Sequence, residues 1–252
     1  MQIINGSVKA TMAVIGLTSA LLPLTVAAQI PALTVEQVME KYIAASGGAE
    51  AYRKINSTVA KGTLEVVPQG LKGTFEVSAK APDQMVMVQN IAGIGETRQG
   101  YDGKLAWSKD PLNGLRTLDG AELASTKRDS VFNAPLHWKT IYKTWQTLGI
   151  KKVDGKDAYA ILLTPAEGKP VTQYFDAKSF LLIRVETIQE SIQGTLPVQV
   201  DLSDYHTVDG VKEPFTIREK FGPAQVVMKT TEVKNNVSLT GDMFSKPTDD
   251  KK

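Results

Sequence analysis

The chain has 252 residues, a formal net charge of +2 and no cysteine. A charge this close to neutral argues against a nucleic acid as the main partner, because phosphate binding requires a dense basic surface. The lack of cysteine excludes disulfides, a thiolate nucleophile, a cysteine-based metal site and a lipid anchor on an N-terminal cysteine. These features favour a protein that is free in the compartment it reaches.

Residues 1–28 have the pattern of a signal peptide. Lys9 is followed by an apolar run over residues 10–24, and small residues then precede Gln29, as at a signal peptidase site. The run is shorter than the about 20 residues that a helix needs to cross a bilayer. We predict export to the periplasm with cleavage near Ala28, and an uncleaved N-terminal anchor is the alternative. No second long apolar run follows, so the mature chain is not expected to cross a membrane.

The first predicted element of the mature chain is a helix that begins after Thr34. Thr34 and Gln37 have the spacing of a capping box, in which each side chain bonds the backbone N–H of the other residue. Apolar residues recur from Val35 at helical spacing, and the glycines at 47–48 end the pattern. A short second helix is predicted over residues 49–55.

From residue 57 the hydrophobic pattern alternates with period two, which predicts strands. Asp-Gly pairs between such runs indicate tight hairpins, because glycine supplies the positive φ that these turns need. Short loops favour antiparallel neighbours. The predicted strands cover residues 58–67, 71–80, 84–91, 95–101, 104–108, 114–118, 150–153, 157–164, 171–176, 181–189, 198–205, 212–221 and 224–233.

A predicted helical insert interrupts the strands in the middle of the chain. A polar, helix-prone stretch covers residues 121–130, and a second helix is predicted over residues 135–148, with Pro135 in its first turn. Apolar side chains recur on one face of that helix at spacings of three and four, namely Trp138, Ile141, Trp145 and Leu148. They are interpreted as contacts between insert and sheet, or as parts of a movable lid.

The strands carry one polar and one apolar face, and the apolar face of a long antiparallel sheet must be covered. The few predicted helices are too small for that task. We therefore predict a mainly β (α+β) fold, in which a strongly curved antiparallel sheet forms an incomplete β-barrel with an N-terminal helix and a helical lid insert. One domain is expected over residues 29–244, followed by a polar C-terminal tail, 245–252.

A half-barrel of this kind either encloses an apolar cavity or is filled by its own side chains, and the pattern leaves both alternatives open. An open cavity would hold an acyl chain, with a gain of about 0.8 kcal/mol for each buried CH₂ group. Methionine side chains suit a lining that adapts to irregular ligands. Strand alternation predicts an apolar lining made of Leu64, Val66, Phe75, Val77, Met85, Met87, Ile161, Phe175, Ile183 and Ile217. A register error of one residue would exchange the faces.

The sequence contains no recognisable catalytic centre. Its two histidines, His137 and His206, are far apart and lack the spacing of metal ligands, and no GxSxG nucleophile elbow is present. Asp201 and Asp204 could serve in acid–base chemistry, but on a strand beside a turn they are expected to face solvent. We predict a protein that is not an enzyme and has no metal or other cofactor. A hydrolase with an unrecognised site is the alternative.

Several strand-and-turn segments resemble bacterial proteins of the LolA/LolB-like family. The resemblance covers nearly all of the mature chain, and its segments include VMEKYIAASGGAEAYRKINS at 38–57, GYDGKLAW at 100–107, VDGKDAYAILLTP at 153–165 and SDYHTVDGVKEPFTIRE at 203–219. It implies an incomplete β-barrel whose apolar concavity, closed by helices, shields a lipid in transit. The chain has neither the cysteine that anchors LolB nor an arginine matching the one that latches the LolA lid.

This resemblance leads to two functional hypotheses. The first is a soluble periplasmic carrier that binds a lipid or the acyl chains of a lipoprotein in the concave face, with a role in outer membrane biogenesis. Its partners would be the lipid or acylated protein and a membrane-associated donor or acceptor protein, with no nucleic acid. The alternative is an envelope sensor or scaffold similar to RseB, which uses the same fold to bind a protein partner.

Overall fold

The structure is a computed structural model that describes residues 32–191 and 194–248. The predicted signal peptide, 1–28, and the last four residues of the predicted tail lie outside the described residues. The helices are α1 Val35–Ala45, α2 Ala49–Arg53, α3 Gly120–Asp129 and α4 Ala134–Ile141, with a short 3-10 helix at Gly241–Phe244. The strands are β1 Ser57–Val67, β2 Leu71–Lys80, β3 Gln84–Ile91, β4 Gly95–Tyr101, β5 Ala106–Asp110, β6 Gly114–Thr117, β7 Tyr142–Val153, β8 Lys156–Pro165, β9 Val171–Asp176, β10 Leu182–Ser191, β11 Gly194–Val208, β12 Val211–Phe221 and β13 Ala224–Asn235.

These strands form one 13-stranded sheet in the order β6-β5-β4-β3-β2-β1-β13-β12-β11-β10-β9-β8-β7. Each pair is antiparallel, and each is formed by neighbours in sequence except the central pair, in which the last strand, β13, joins β1. The chain thus builds one half of the sheet outward to β6. It crosses through α3 and α4 to the opposite edge, and it returns strand by strand to the middle.

Strands that are far apart in the order of the sheet line the same cavity, which shows that the sheet is curved. Gln99 of β4 and Gln173 of β9 both contribute to one cavity, although eight strand positions separate them in the sheet. In a flat sheet, with about 4.8 Å between strands, they would be about 38 Å apart. The edge strands β6 and β7 do not pair with each other, so the barrel is incomplete. The predicted mainly β half-barrel is therefore confirmed.

Helix α1 begins as its sequence predicts. The Thr34 Oγ1 accepts a hydrogen bond from the backbone N–H of Gln37 at 3.3 Å, and the Gln37 Oε1 accepts one from the N–H of Thr34 at 2.9 Å. This capping box satisfies two of the N–H groups that a helix start leaves without intrahelical partners. The helix buries Val35, Val38 and Met39 against the rest of the molecule.

The prediction that the second helix of the insert continues to Leu148 is wrong. Helix α4 ends at Ile141, and the following residues form β7, which pairs with β8 from Tyr142 opposite Pro165 onward. Tyrosine, threonine and tryptophan in this stretch favour strands. Pairing with β8 also provides partners for the backbone groups, whereas helical spacing of the apolar residues is a weaker, purely local preference. Trp145 and Leu148 are consequently strand residues.

Two further strand boundaries differ from the predictions. The strand predicted over 104–108 begins at Ala106, because the carboxylate Oδ1 of Asp102 accepts hydrogen bonds from the backbone N–H groups of Lys104 and Leu105, both at 2.8 Å. This Asx-type turn uses backbone groups that a longer strand would pair. Strand β11 is longer than predicted, because Gly194–Val208 pairs with both neighbouring strands.

The end of the predicted domain and the start of the predicted tail are both tied to the sheet. Phe244 is completely buried beside Val86 and Trp107, and its backbone oxygen accepts a 2.8 Å hydrogen bond from the Trp107 indole. The Nζ of Lys246 donates a 3.0 Å hydrogen bond to the Oγ1 of Thr117. Val86 alternates with cavity-lining methionines along β3, so this segment covers the opposite, convex face of the sheet.

Candidate functional site

The register of the sheet determines which side chains share the concave face, because directly paired residues of antiparallel strands lie on the same side. Val77 pairs with Met87, and Leu64 pairs with Met228, which in turn pairs with Ile217. All predicted lining residues except Ile183 lie on this one face, as the register and the alternation along each strand show. The face is therefore continuous across both halves of the sheet.

A cavity of about 740 Å³ lies between this face and helices α1, α3 and α4. Its size falls within the range of about 300 to 1,000 Å³ that is typical of ligand pockets. The apolar part of its wall comes from strands β3, β10 and β11 and from helices α1 and α4. Its members include Met39, Met85, Met87, Trp138, Ile141, Leu182, Val185, Val198 and Val200.

Four of the predicted lining and lid residues form part of this cavity wall, namely Met85, Met87, Trp138 and Ile141. Four others on the same face are buried in packing contacts outside it, namely Leu64, Phe75, Ile161 and Phe175. The ring of Phe175, for example, lies 5.0 Å from the ring of Tyr42 on α1. Val66, Val77 and Ile217 are partly buried and also lie outside the wall, as do the β7 residues Trp145 and Leu148.

Ile183 does not join the cavity wall, because the β9–β10 register shifts between Leu182 and Arg184. At this irregularity both Leu182 and Val185 line the cavity, a spacing that strict alternation does not allow. Sequence reasoning therefore selected the wrong residue of β10. It also missed Val198 and Val200, although their alternation with Gln199 and Asp201 was a usable signal.

Helix α4 and strand β7 meet through their tryptophans beside the cavity. The Trp138 and Trp145 rings pack edge to face, with centroids 4.8 Å apart and an interplanar angle of 70°. The Trp145 Nε1 donates a 2.7 Å hydrogen bond to the Oε1 of Glu36 on α1. This bond helps to lower the Glu36 pKa, together with a larger contribution from a backbone hydrogen bond. The insert is thus attached to both α1 and the edge of the sheet.

The cavity wall is only partly apolar. Four glutamines contribute to it, and one of them, Gln99, donates a 2.8 Å hydrogen bond from Nε2 to the Oγ1 of Thr126 on α3. Four charged side chains also lie on the wall, namely Arg128, Asp129, Lys169 and Glu219. The wall therefore offers an apolar surface and a set of polar groups to the same ligand, as binding pockets commonly do.

Burial shapes the electrostatics of these groups. It raises the pKa of the Glu219 carboxyl, and the negative charge of Asp129 raises that pKa further. The protein atoms around Asp129 raise its pKa as well, although Arg128, 3.0 Å away, opposes the shift. The Asp129 side chain lies on the cavity wall and is 60% exposed. Burial raises the pKa of the nearby Tyr142 to about 12.

The remaining candidate residues lie elsewhere. His137 is exposed on α4, and the Nε2 of His206 lies 2.9 Å from Oδ1 of Asp204 in an exposed pair. The prediction that Asp201 faces solvent is wrong. Its carboxylate is 19% exposed and accepts hydrogen bonds from the side chains of Arg184, Gln199 and Lys220. Burial by itself would raise the Asp201 pKa, but these hydrogen bonds outweigh it and hold that pKa below its usual value.

The described residues contain neither a metal site nor a membrane-spanning helix. No group of three or more His, Asp or Glu side chains within residues 32–191 and 194–248 has the arrangement of a metal site. None of the helices in these ranges combines the length and the apolar character needed to cross a bilayer.

Comparisons with known proteins identify the fold. No protein-family model matches the chain, and no curated protein matches its sequence. Solved structures do match. A LolA superfamily protein from Nitrosomonas europaea has a TM-score of 0.58 and 16% identity, covering 85% of this chain and 99% of that one. A DUF1329 family protein from Desulfovibrio piger has a TM-score of 0.57 and 15% identity, covering 84% and 97%.

A third match is described as an outer membrane lipoprotein-sorting protein domain from Vibrio parahaemolyticus. Its TM-score is 0.54 at 12% identity, and the alignment covers 83% of this chain and 95% of that one. At such low identities the agreement concerns the course of the backbone and carries no information on ligands. The predicted resemblance is confirmed at the level of the fold: this chain has the half-barrel architecture of LolA-like proteins.

Proposed function

We propose that this protein is a periplasmic carrier that binds a lipid, or the acyl chains of a lipoprotein, in the cavity beneath its helices. The observation that carries the proposal is the cavity itself, about 740 Å³ between the concave face and α1, α3 and α4. Met85, Met87, Val185 and Val200 contribute apolar surface to its wall, on which a hydrocarbon chain would lose its contact with water.

Two further observations support a carrier. The chain shares its fold with a LolA superfamily protein and with an outer membrane lipoprotein-sorting protein domain. Its first 28 residues have the pattern of a signal peptide, which would deliver the mature chain to the periplasm. Binding would consist of burial without bond-making, so the protein would act together with a membrane-associated donor or acceptor rather than as an enzyme.

The binding energy would come mainly from apolar burial. Each CH₂ group transferred from water into the cavity contributes about 0.8 kcal/mol, and methionine side chains adapt to the irregular shape of an acyl chain. Met85 and Met87 follow each other on the same face of β3, with partners Ala79 and Val77 on β2. A charge introduced at either methionine would therefore face the bound hydrocarbon directly.

Native mass spectrometry of the mature chain, after incubation with phospholipid vesicles, tests this proposal. We expect the wild type to retain lipid and Met87→Asp to lose it, whereas Met87→Leu, which keeps an apolar side chain, should retain it. Circular dichroism and urea titration report whether each variant is folded. If Met87→Asp unfolds, lipid retention by the wild type and by Met85→Asp still tests the proposal. A folded wild type that takes up no lipid would overturn the carrier proposal and favour a protein-binding module.

A further inference from the structure

Charged side chains are unusual in a cavity for hydrocarbon, and here four of them share one wall. Arg128 and Asp129 lie at the C-terminal end of α3, Lys169 precedes β9, and Glu219 lies on β12. Two of the side chains are basic and two are acidic. A purely hydrocarbon ligand would leave these charges without any function in the pocket, and removing charges from water is costly unless they are paired.

Glu219 is the charge that the fold leaves without a counterion. Its cross-strand neighbours are Val200 on β11 and Val226 on β13, so the carboxylate is flanked by apolar side chains on both sides. Within the described part of the chain no hydrogen bond or ion pair reaches the Glu219 carboxylate. The side chain is partly buried and belongs to the cavity wall.

A second carboxylate adds to the negative charge near Glu219. Asp129 lies close enough for its negative charge to act on Glu219, and the partner of Asp129 is Arg128 at 3.0 Å. Two carboxylates thus line the same cavity, and among the described residues Asp129 has a counterion whereas Glu219 has none. Like charges near each other disfavour the charged form of both groups, and the partial burial of Glu219 reduces the screening by water.

We propose that the ligand of this cavity is an amphiphile with a protonated amine in its headgroup, and that this ammonium group pairs with the carboxylates of Glu219 and Asp129. The proposal rests on the proposed function, since it assumes that the cavity holds the acyl part of the same molecule. Val200 and Val185 are cross-strand partners, and Val200 also pairs with Glu219. An acyl chain on the valines would therefore place its headgroup near the acidic pair.

An ammonium group suits this pair better than other headgroups do. It donates three hydrogen bonds and carries one positive charge, so it would bond the carboxylate oxygens and also supply the counterion that Glu219 lacks. An uncharged glycerol headgroup would leave the carboxylates repelling each other. A hydrogen bond to a charged group contributes more than a neutral one, which corresponds to at least about a tenfold difference in affinity.

The test compares two phospholipids with identical acyl chains, phosphatidylethanolamine and phosphatidylglycerol, in competition for the wild-type protein by native mass spectrometry. We expect at least about a tenfold preference for phosphatidylethanolamine. The Glu219→Gln variant should lose most of that preference while still retaining lipid. Glu76→Gln is the matched control, because Glu76 pairs with Lys61 at 2.8 Å on the other face of the sheet and should leave the preference unchanged.

A third lipid keeps the test decisive if Glu219→Gln fails to fold. N-acetylated phosphatidylethanolamine has the same chains but no positive charge on nitrogen, and we expect the wild type to bind it no better than phosphatidylglycerol. Equal binding of all three lipids would overturn the amine proposal and leave acyl binding standing. Binding of none of them would overturn the carrier proposal as well. An unchanged preference in a folded Glu219→Gln variant would also contradict the assignment.

Discussion

The indole of Trp145 donates a 2.7 Å hydrogen bond to the carboxylate of Glu36, across 109 positions of the sequence. The bond joins β7, an edge strand of the sheet, to α1, the first helix of the described chain. Trp138 of α4 packs on the same indole, so two helices and one strand meet at this point beside the cavity. Opening the cavity on this side would have to break these contacts.

The first prediction concerns this contact. Trp145→Phe and Glu36→Ala each remove the hydrogen bond, so their combined effect on the free energy of unfolding should be smaller than the sum of the single effects. We expect a coupling energy of about 0.5 to 1.5 kcal/mol, below the range for a buried bond to a charged group, because the Glu36 carboxylate is only partly buried. Urea titration of the four proteins in the double-mutant cycle measures it.

Glu40 provides the control for this cycle, because it is an exposed acidic residue on the same helix. Trp145→Phe combined with Glu40→Ala should give additive effects. Additive behaviour of the Glu36 pair as well would mean that the hydrogen bond contributes nothing to stability in solution.

The second prediction concerns the segment that covers the convex face. Phe244 has no exposed surface, and it packs on Val86 and Trp107. Phe244→Ala should lower the free energy of unfolding by about 3 to 5 kcal/mol, because it leaves a cavity where the ring was. The Trp107 indole should also become more exposed to water, which a red shift of the tryptophan emission would report.

Asp242→Ala is the matched control for Phe244, since this neighbouring residue is exposed. It should change stability by less than about 0.5 kcal/mol. If Phe244→Ala were equally harmless and left the emission unchanged, the segment would not be packed on the sheet in solution.

The third prediction is a pH dependence that Glu213 causes. Burial raises the pKa of this carboxyl from 4.5 to about 7. Its negative charge in turn contributes to the raised pKa of three neighbouring phenols, Tyr42, Tyr52 and Tyr205, for which burial is the larger cause. Burial of this carboxyl on β12 therefore favours the protonated acid.

Because the folded protein holds this proton more tightly than the unfolded chain, its contribution to stability is complete below about pH 4.5 and is lost as pH rises to about 7. Glu213→Gln should remove this dependence. We expect it to raise the free energy of unfolding relative to the wild type by about 1 to 3 kcal/mol at pH 8 and to change it little at pH 4. Equal effects of the variant at both pH values would contradict the raised pKa.

The fourth prediction concerns Gly62, at the point where the register between β1 and β13 shifts. A Cβ atom there would overlap the backbone oxygen of Lys229 and lie 2.6 Å from Cε1 of Phe75. Gly62→Ala should therefore lower the free energy of unfolding by about 1 to 3 kcal/mol, because the pair of central strands must move apart. Gly241→Ala, with nothing within 4 Å of its added Cβ, should be close to neutral.

Local chemistry explains which features could be predicted from the sequence. The capping pair Thr34 and Gln37 and the Asp-Gly turns act over a few residues, so their consequences are present in the chain itself. Alternation then gave strands such as Leu71–Lys80 and Gln84–Ile91 at their observed bounds. The candidate site was predicted less well, since alternation gave the shared face but not which of its residues would border empty space.

Local sequence patterns were sufficient to predict a signal peptide, the succession of antiparallel strands and most residues of their common face. Three features depend on long-range packing instead: β13 pairs with β1 in the middle of the sheet, α4 ends at Ile141, and a register shift places Leu182 and Val185 rather than Ile183 in the cavity wall. Pairing between distant strands and the volume left between sheet and helices depend on contacts far apart in the chain. A pattern of neighbouring residues contains no record of them.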